Sequence, residues 1–310
     1  MAQQYPNLKP ALFSLADSAN WSAHLEQEGY VVIENIVSDE VNQKALVQFK
    51  HDWKTVTPNF DWEDTSTWTS TNSPMVWGKS SAMYNGFGQS GFVWLLRTQP
   101  AIHEAFSKIY NTQELAVALD GFSVFISPKQ KSKVWLHQDQ RASDRRLSVQ
   151  GAVNLKPVAE HDAGFVCVPK SHITHTPAES KTDWVMLDKN DPHYQSAVKL
   201  IIPKNCLILW HSKTIHANTG MYSRHPEKLH LNRLTAYIAF VPKSRQSKEI
   251  VQKRIQGYKD GVACSHWADR FEIKKIPFRL RKRYLERGFG YIRPLLNDDG
   301  SIPDEYMKLI

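Results

Sequence analysis

Several features of membrane and secreted proteins are missing from this 310-residue chain. It has only three cysteines, Cys167, Cys206 and Cys264. Because they are odd in number and far apart, we predict buried thiols rather than disulfides or zinc ligands. There is no apolar run of about 18 residues, and the first residues lack the basic and apolar regions of a secretory signal. We therefore expect a protein of the reducing cytoplasm that makes no use of a membrane.

Repeats, low-complexity tracts and Gly/Ser linkers are also missing, which favours a single globular domain over residues 1–310. With 41% hydrophobic residues, the chain can bury a sizeable core. We divide it into N-terminal helices with a first strand (1–119), a β core (120–242) and a basic C-terminal extension (243–310). The glycine-rich residues 84–91 lack the preceding strand and the Lys-Ser/Thr pair of a phosphate-binding loop, so we predict a mobile rim loop there.

Positive charge is concentrated near the C-terminus. The net charge is +8, and residues 251–293 contain twelve Lys or Arg against four Asp or Glu, so the rest of the chain is balanced. Residues 274–284 interleave basic residues with the aromatic Phe278 and Tyr284, and the basic ones are Lys274, Lys275, Arg279, Arg281, Lys282 and Arg283. This pattern is typical of contacts with a phosphate backbone, although an ordinary solvated helix face has it too. A nucleic acid is thus one possible partner, beside a small-molecule substrate, for a monomer or weak oligomer.

Short strands dominate the middle of the chain. Before them, residues 29–33 form a β-branched run, Ser38 or Asp39 can cap an amphipathic helix, and Pro100 begins a second helix. From residue 120 onward we predict strands near 121–126, 133–139, 147–155, 164–168, 206–210 and 234–241. Many short strands separated by proline and glycine are typical of a barrel or a double-sheet jelly roll. The predicted fold is a mainly β core with flanking helices.

A histidine and a carboxylate lie two residues apart in the second of these strands. Residues two apart point to the same side of a strand, so we expect His137 and Asp139 to face one space. One imidazole and one carboxylate are two-thirds of the facial triad that holds non-haem Fe(II) with open coordination positions. Such a pair also occurs by chance, so the interpretation needs a second histidine from a later strand. His211 and His216 are both candidates.

An arginine opens the last predicted strand. The guanidinium of Arg233 suits a distant carboxylate better than an ammonium does, because its planar donors can bind both oxygens. Arg224 is closer in sequence to the histidines but precedes His225-Pro226 in a predicted loop, which makes it the weaker candidate. The interpretation as a zinc hydrolase is less favoured, since the chain has no His-x-His or His-Glu-x-x-His grouping.

From about residue 28 to residue 242, the chain resembles the phytanoyl-CoA dioxygenase family of Fe(II)/2-oxoglutarate-dependent oxygenases. The segments that carry the resemblance are Gly29-Tyr30-Val31-Val32-Ile33, His137-Gln138-Asp139, Pro169-Lys170-Ser171-His172, where Lys170 replaces a glycine, and Trp210-His211-Ser212 followed by His216. The resemblance implies a double-stranded β-helix of the jelly-roll type. It also implies His137, Asp139 and His216 as iron ligands, with His211 as the alternative to His216.

The cosubstrate site follows from the same resemblance. Arg233 matches the arginine that binds the far carboxylate of 2-oxoglutarate, but it lies 17 residues after His216, so residues 221–231 look like an insertion. Further polar residues that could contact 2-oxoglutarate are Gln138, Asn218, Gln150 and Asn154. Each of these four could instead form hydrogen bonds within the sheets.

These observations predict an Fe(II)/2-oxoglutarate-dependent dioxygenase that uses O2 to hydroxylate a C–H bond of a small organic molecule, with release of succinate and CO2. Two alternatives stay open. The enzyme could act on a nucleic acid or a protein through the basic segment 251–293, or the chain could be a non-catalytic binder with the same fold.

Overall fold

A computed structural model describes residues 5–74, 81–126, 135–176, 180–221 and 230–310. In these ranges the strands are β1 (Asn7–Leu8), β2 (Leu12–Phe13), β3 (Tyr30–Ile33), β4 (Ser81–Ala82), β5 (Leu115–Val117), β6 (Phe122–Phe125), β7 (His137–Gln138), β8 (Val149–Asn154), β9 (Gly164–Cys167), β10 (Val185–Met186), β11 (Val198–Leu200), β12 (Cys206–His211), β13 (His216–Thr219), β14 (Arg233–Tyr237) and β15 (Phe240–Pro242). The α-helices are α1 (Ser18–Glu28), α2 (Asp39–Val56), α3 (Gly91–Arg97), α4 (Pro100–Tyr110), α5 (Ser171–Thr174), α6 (Lys248–Lys259), α7 (Phe278–Leu285) and α8 (Asp304–Met307). Short 3-10 helices span Thr65–Thr67, Phe87–Gln89, Pro192–Ser196 and Lys243–Arg245.

The chain divides into two compact units, residues 1–36 with 127–233 and residues 37–126 with 234–310. Within the first unit, one sheet has the strand order β1-β11-β9-β13-β7-β10, and four further strands are ordered β2-β3-β12-β8. All predicted site residues that the structure describes lie in this first unit. The prediction of one continuous domain stays a prediction.

Strand β12 is the inner strand of the second set. It runs antiparallel to both β3 and β8, with Leu207 opposite Ile33 and Trp210 opposite Gln150. Its first five residues are buried, as expected for a nearly continuous apolar run that is covered on both faces. The register therefore brings the polar Gln150 of β8 beside the aromatic end of β12.

Strand β13 occupies the corresponding place in the other sheet of the first unit. It runs antiparallel to both β9 and β7, and His216 stands opposite Cys167 on one side and His137 on the other. The two sheets of this unit contact each other through aromatic side chains, since the rings of Phe165 on β9 and Trp210 on β12 lie 4.8 Å apart. Two predicted site histidines from distant parts of the chain thus become neighbours.

In the second unit, helix α2 begins as the sequence predicts, with the Ser38 side chain accepting a hydrogen bond from the backbone nitrogen of Val41. The apolar face of α2 points inward, and Ala45 and Phe49 on it are fully buried. One sequence prediction was wrong here, because residues 234–241 form two strands rather than one. Strand β14 lies beside β6, whereas β15 pairs with β5, so the chain changes its partner strand between residues 237 and 240.

The prediction of a mobile rim loop at residues 84–91 was also wrong. Phe87 and Ser90 are fully buried, and Gln89 donates to the Val262 carbonyl over 2.7 Å. Gly86 has a φ of 79°, and a Cβ there would collide with the Ile292 carbonyl. Glycine is therefore used in this segment for close packing and a left-handed turn rather than for mobility.

The C-terminal segment contains the basic helix α7. Its ends are apolar and exposed, since Phe278 is 91% and Leu285 66% accessible. The role of residues 251–293 in binding an anionic partner stays a prediction. Over the described ranges, no helix has both the length and the apolar character needed to cross a bilayer. All three cysteines fall within those ranges as buried thiols without disulfides, as predicted.

Candidate active site

Three side chains converge beside strands β7 and β13. The Nε2 atom of His137 lies 3.4 Å from Oδ1 of Asp139, and Nε2 of His216 lies 3.3 Å from Oδ2 of the same carboxylate. One nitrogen or oxygen atom from each residue fits within a mutual distance of 4.8 Å. Asp139 follows the end of β7, where its backbone nitrogen donates to the Ser212 carbonyl over 2.9 Å. This cluster is called the first histidine–aspartate group below.

Both imidazoles of the first group are fixed by backbone carbonyls. His137 Nδ1 lies 3.0 Å from the oxygen of Trp135, and His216 Nδ1 lies 2.9 Å from the oxygen of Thr214. A carbonyl only accepts, so each Nδ1 carries the proton and each neutral ring directs an Nε2 lone pair at Asp139. Three electron-rich groups then face one another. A cation between them satisfies all three, and two imidazoles with one carboxylate are the donor set of non-haem Fe(II) sites.

The electrostatics favour the forms that bind a metal. Burial by itself would raise the pKa of Asp139, but the charge and hydrogen bonds of His137 and His216, when their imidazoles are protonated, outweigh it and hold this pKa well below its ordinary value. Burial lowers the pKa of His216, and the neighbouring His137 lowers it further, against the opposing effect of Asp139. A carboxylate and a neutral imidazole are the protonation states that coordinate a divalent ion.

Aromatic rings hold the two histidines in place. The Trp135 ring stacks on His137 at 4.7 Å with a 9° angle between the planes, and Trp135 Nε1 donates to the Asn218 carbonyl over 3.1 Å. Phe165 stacks on His216 at 5.8 Å. Trp135 was missed in the prediction from sequence, although its position two residues before His137 in the predicted strand 133–139 would place both side chains on one side.

Of the predicted polar residues, Gln150 contacts the first group, and Asn218 shares a strand face with His216. Gln150 Nε2 donates to Asp139 Oδ2 over 3.0 Å. Asn218 lies two residues after His216 on β13 and therefore on the same side of that strand. Its Oδ1 accepts a hydrogen bond of 2.6 Å from Nη1 of Arg233, whose side chain is almost completely buried. The arginine predicted at the head of β14 is thus connected to the side of β13 that carries His216.

A second buried cation was missed. Lys199, on β11, directs its ammonium at the carbonyls of Ala159, Glu160 and Asp162 over 2.5–3.1 Å. Burial lowers the pKa of Lys199 to about 8, Asp162 and Glu160 oppose this, and Arg233 contributes to the lowering. Two cationic side chains therefore influence each other here, which suits an anionic ligand. The sequence did not indicate that Lys199 is buried, because a single lysine in a short strand is typical of an exposed position.

Other predicted residues have different surroundings. Gln138 donates from Nε2 to the Lys213 carbonyl, and its Oε1 lies 3.0 Å from His175. Asn154 stands opposite Cys206, at the other end of β8 from Gln150. His211 belongs to β12, where its ring stacks on that of His172 at 4.8 Å and its Nε2 lies 3.7 Å from Glu26.

The structure thus brings together His137, Asp139 and His216 with Gln150, and it places His211 elsewhere. Arg224 and most of the predicted insertion 221–231 lie outside the described residues.

An exposed aromatic ring that the sequence analysis also missed lies near the first group. Trp184 is 50% accessible, and its ring centroid is 5.8 Å from that of His137. It directly precedes strand β10, which pairs with β7 so that Met186 stands opposite His137. Met186 is 43% accessible. An apolar surface therefore borders the histidine–aspartate group on the side of β10.

Comparison with known proteins agrees with this geometry. The sequence model of the phytanoyl-CoA dioxygenase family matches residues 25–226. "Ava biosynthesis cluster protein O" of Aspergillus versicolor is 25% identical over 279 residues, which cover 81% of this chain and 87% of that protein. A Dictyostelium discoideum protein named for the same dioxygenase family is 22% identical over 303 residues, with coverages of 82% and 84%.

Solved structures with the same fold include two enzymes of nogalamycin biosynthesis. The epimerase SnoN, in complex with Fe3+, alpha ketoglutarate and nogalamycin RO, has a TM-score of 0.52 at 14% identity, and the match covers 73% of this chain and 84% of that one. The alpha ketoglutarate dependent carbocyclase SnoK has a TM-score of 0.52 at 12% identity, with coverages of 74% and 86%. They confirm the predicted fold class, a jelly-roll β core with flanking helices.

The match of the family model spans about two-thirds of the chain and includes His137, Asp139 and His216. It confirms the resemblance found in the sequence and, with it, the predicted cofactors Fe(II), 2-oxoglutarate and O2. The chain belongs to the phytanoyl-CoA dioxygenase family of Fe(II)/2-oxoglutarate-dependent enzymes.

Proposed function

We propose that this protein is a dioxygenase that hydroxylates a C–H bond of a small organic molecule, with iron held by His137, Asp139 and His216. The observation that carries the proposal is the direction of the two imidazoles. Each ring donates its Nδ1 proton to a backbone carbonyl and directs its Nε2 lone pair at one carboxylate. Such a set binds a divalent ion on one side and leaves the opposite positions open. When bound, Fe(II) would activate dioxygen for substrate oxidation as 2-oxoglutarate is converted to succinate and CO2.

Arg233 is proposed to bind the distal carboxylate of 2-oxoglutarate. Its guanidinium is buried and is oriented by the 2.6 Å hydrogen bond to Asn218. The buried ammonium of Lys199 adds positive charge nearby, because Arg233 and Lys199 influence each other electrostatically. A dicarboxylate would offset both charges, and the planar guanidinium can bind both oxygens of one carboxylate. In this arrangement Asn218 acts by positioning Arg233.

Gln150 and Trp135 are proposed to keep the ligands in place. The 3.0 Å hydrogen bond from Gln150 holds one carboxylate oxygen of Asp139, and the Trp135 ring covers one face of His137. Groups that orient metal ligands in this way typically change metal affinity or activity by about 10–100-fold when they are removed.

The substrate is proposed to present an apolar or aromatic group to Trp184 and Met186. Both side chains are substantially exposed and border His137 from the side of β10. A small-molecule substrate also agrees with the name of the Aspergillus relative, which refers to a biosynthesis cluster. An aromatic side chain beside an iron site offers stacking and apolar contact without fixing the identity of the ligand.

The test is turnover by the purified protein with Fe(II) and 2-oxoglutarate in air. Candidate small molecules are screened by succinate formed above the substrate-free background, and each positive product is examined by mass spectrometry. A product with one added oxygen atom supports hydroxylation, whereas loss of two hydrogens or an isomer of the substrate would replace hydroxylation by another oxidation outcome. Trp184→Ala should raise the substrate KM while leaving substrate-free succinate formation unchanged. Absence of iron-dependent succinate formation with every compound would contradict the proposal.

A further inference from the structure

A second group of two histidines and one aspartate lies in the first unit, outside the site described above. Among the described residues, His175, Asp191 and His193 can bring one nitrogen or oxygen atom each within 4.8 Å of one another. His175 Nε2 lies 3.2 Å from Asp191 Oδ2, and His193 Nδ1 lies 2.8 Å from Asp191 Oδ1. All three side chains are partly buried, with 14–22% of their surface accessible. They are called the second histidine–aspartate group below.

Hydrogen bonds fix the tautomer of His175. Gln138 Nε2 donates to the Lys213 carbonyl, so its amide oxygen is the atom that faces His175 Nδ1 at 3.0 Å. That oxygen only accepts, and His175 Nδ1 must therefore carry a proton. In the neutral ring the Nε2 atom then has a lone pair, which points at the Asp191 carboxylate. This contact is favourable only if the ring gains a second proton or a metal ion lies between the two groups.

His193 has a similar arrangement. Its Nε2 lies 3.2 Å from the hydroxyl oxygen of Thr174, and that hydroxyl donates to the Lys170 carbonyl over 3.1 Å. With its proton engaged there, the hydroxyl accepts from His193 Nε2, and in the neutral ring the Nδ1 lone pair is then directed at Asp191. The backbone nitrogen of His193 also donates to Asp191 Oδ1 over 2.9 Å, so the carboxylate is held in place independently of any ion.

We propose that His175, Asp191 and His193 form a second metal site, for a divalent transition-metal ion with zinc-like preferences. Two imidazole nitrogens and one carboxylate oxygen suit zinc, cobalt or nickel, whereas calcium and magnesium prefer a shell made of oxygen atoms. Three protein ligands leave a fourth position of a tetrahedral ion to water, and the partial exposure of the group allows water to reach it. Each histidine has its remaining nitrogen engaged in an outer hydrogen bond, as metal-bound histidines generally do.

The site would connect to the first group through Gln138. This residue lies between His137 and Asp139 in the chain, and its amide oxygen is the outer partner of His175. An ion on His175 strengthens the hydrogen bond that the ring donates, because coordination makes the other ring N–H more acidic. The second site would therefore hold the end of β7 in place. This inference does not depend on the proposed role of the first group in iron binding.

The experiment counts bound metal in a variant from which the first site has been removed. His137→Ala with His216→Ala leaves the second group complete, and the metal-free double variant is titrated with Co2+, followed by its visible absorption and by elemental analysis after desalting. We expect one bound equivalent, replaceable by Zn2+. Adding His193→Ala should lower the affinity by more than the roughly 10–100-fold that follows loss of an outer partner. The matched control adds His161→Ala instead, which removes an exposed histidine of the same unit.

Two further measurements separate loss of a ligand from loss of the fold. Asp191→Asn keeps an oxygen that can accept from the His193 backbone nitrogen but removes the charge, so it should weaken metal binding in a protein that still unfolds cooperatively. Zinc should raise the Tm of the double variant and of the His161→Ala control, since a ligand that binds only the folded state stabilises it. It should not raise the Tm after His193→Ala. No binding by the double variant at micromolar Co2+, or equal binding with and without His193, would overturn the proposal.

Discussion

The two histidine–aspartate groups have the same donors but different supports. In the first group, the Nδ1 atoms of His137 and His216 bond to backbone carbonyls two residues earlier in the chain. In the second group, His175 and His193 depend on the side chains of Gln138 and Thr174. A carbonyl partner is retained whatever side chain its residue carries, whereas a side-chain partner can be removed by one substitution. The first group is therefore the more robust arrangement, and the second is the one whose geometry can be adjusted.

The first group is also the more deeply buried of the two. His137 and His216 are 5% and 8% accessible, against 14% and 22% for His175 and His193. Stacked aromatic rings cover the first pair. Excluding water strengthens electrostatic interactions within a site, which suits chemistry at the metal, whereas a partly accessible site suits an ion that exchanges with solvent. We expect substitutions in the first group to affect turnover and those in the second to affect metal content and stability.

The largest expected effect comes from removing a ligand of the first group. His137→Ala, Asp139→Ala and His216→Ala should each reduce iron-dependent 2-oxoglutarate decarboxylation to background, because the coordination itself is lost. Iron content and succinate formation measure this, with cooperative thermal unfolding as the check on the fold. His211→Ala is the matched control, since His211 ends β12, outside the sheet that contains β7 and β13, and its ring stacks on that of His172. Loss of iron in His211→Ala together with normal iron in His216→Ala would reverse the assignment.

The next effect concerns the cosubstrate. Arg233→Lys keeps the positive charge but loses one arm of a bidentate contact, which typically costs about 1.5–3 kcal/mol, or roughly a ten- to hundredfold increase in the KM for 2-oxoglutarate. Iron affinity should not change, because Arg233 is not one of the three proposed ligands and bonds to Asn218, a neighbour of the ligand His216 on β13. Steady-state kinetics with varied 2-oxoglutarate decide the matter. An unchanged KM in this variant with a large rise in Arg224→Lys would transfer the role to Arg224.

Much of the fold could be predicted from local sequence, because burial of a short apolar strand is visible in its composition. Helix α2 began at the predicted cap, and β8, β9 and β12 lie within one or two residues of the predicted bounds. The change of partner strand between β14 and β15 could not be predicted, since residues 234–241 form one mainly apolar run and the change depends on which strands are adjacent in space.

The candidate site was predictable to the extent that it depends on spacing. The two-residue interval placed His137 and Asp139 on one side. The choice between His216 and His211 needed the register, because His216 stands opposite His137 on β13 whereas His211 ends β12. The second group was not predicted at all. Its ligands come from the extended residue that ends α5 and from the start of a 3-10 helix, where no regular period relates the side chains.

A smaller effect is expected from the outer support of the first carboxylate. Gln150→Leu removes the 3.0 Å hydrogen bond to Asp139 Oδ2 and should lower iron affinity about tenfold, at the low end of the range for outer partners, because both imidazoles keep their carbonyl bonds. Titration of the metal-free protein with Fe(II) under anaerobic conditions measures it. Asn154→Leu is the matched control on the same strand. An equal loss of affinity in both variants would mean that the effect arises from damage to β8 rather than from Asp139.

The smallest effect is expected from Thr174→Val, which changes only the outer support of the second group. The substitution removes the hydroxyl that faces His193 Nε2 at 3.2 Å but preserves the size of the side chain. We expect the Co2+ affinity of the second group to fall about tenfold or less, since His193 can still coordinate and a water molecule can replace the hydroxyl. The titration uses the variant without the first site, and Thr182→Val, at an exposed threonine whose hydroxyl donates to the Trp184 carbonyl, is the matched control. Thr174→Val could instead abolish Co2+ binding completely in a protein that stays folded. The ring of His193 would then be held chiefly by the hydroxyl of Thr174. The difference between the first group, held by backbone carbonyls, and the second, held by side chains, would be larger than proposed. If the substitution had no effect, the tautomer of His193 would not depend on Thr174, and the difference would then rest on Gln138 and His175 alone.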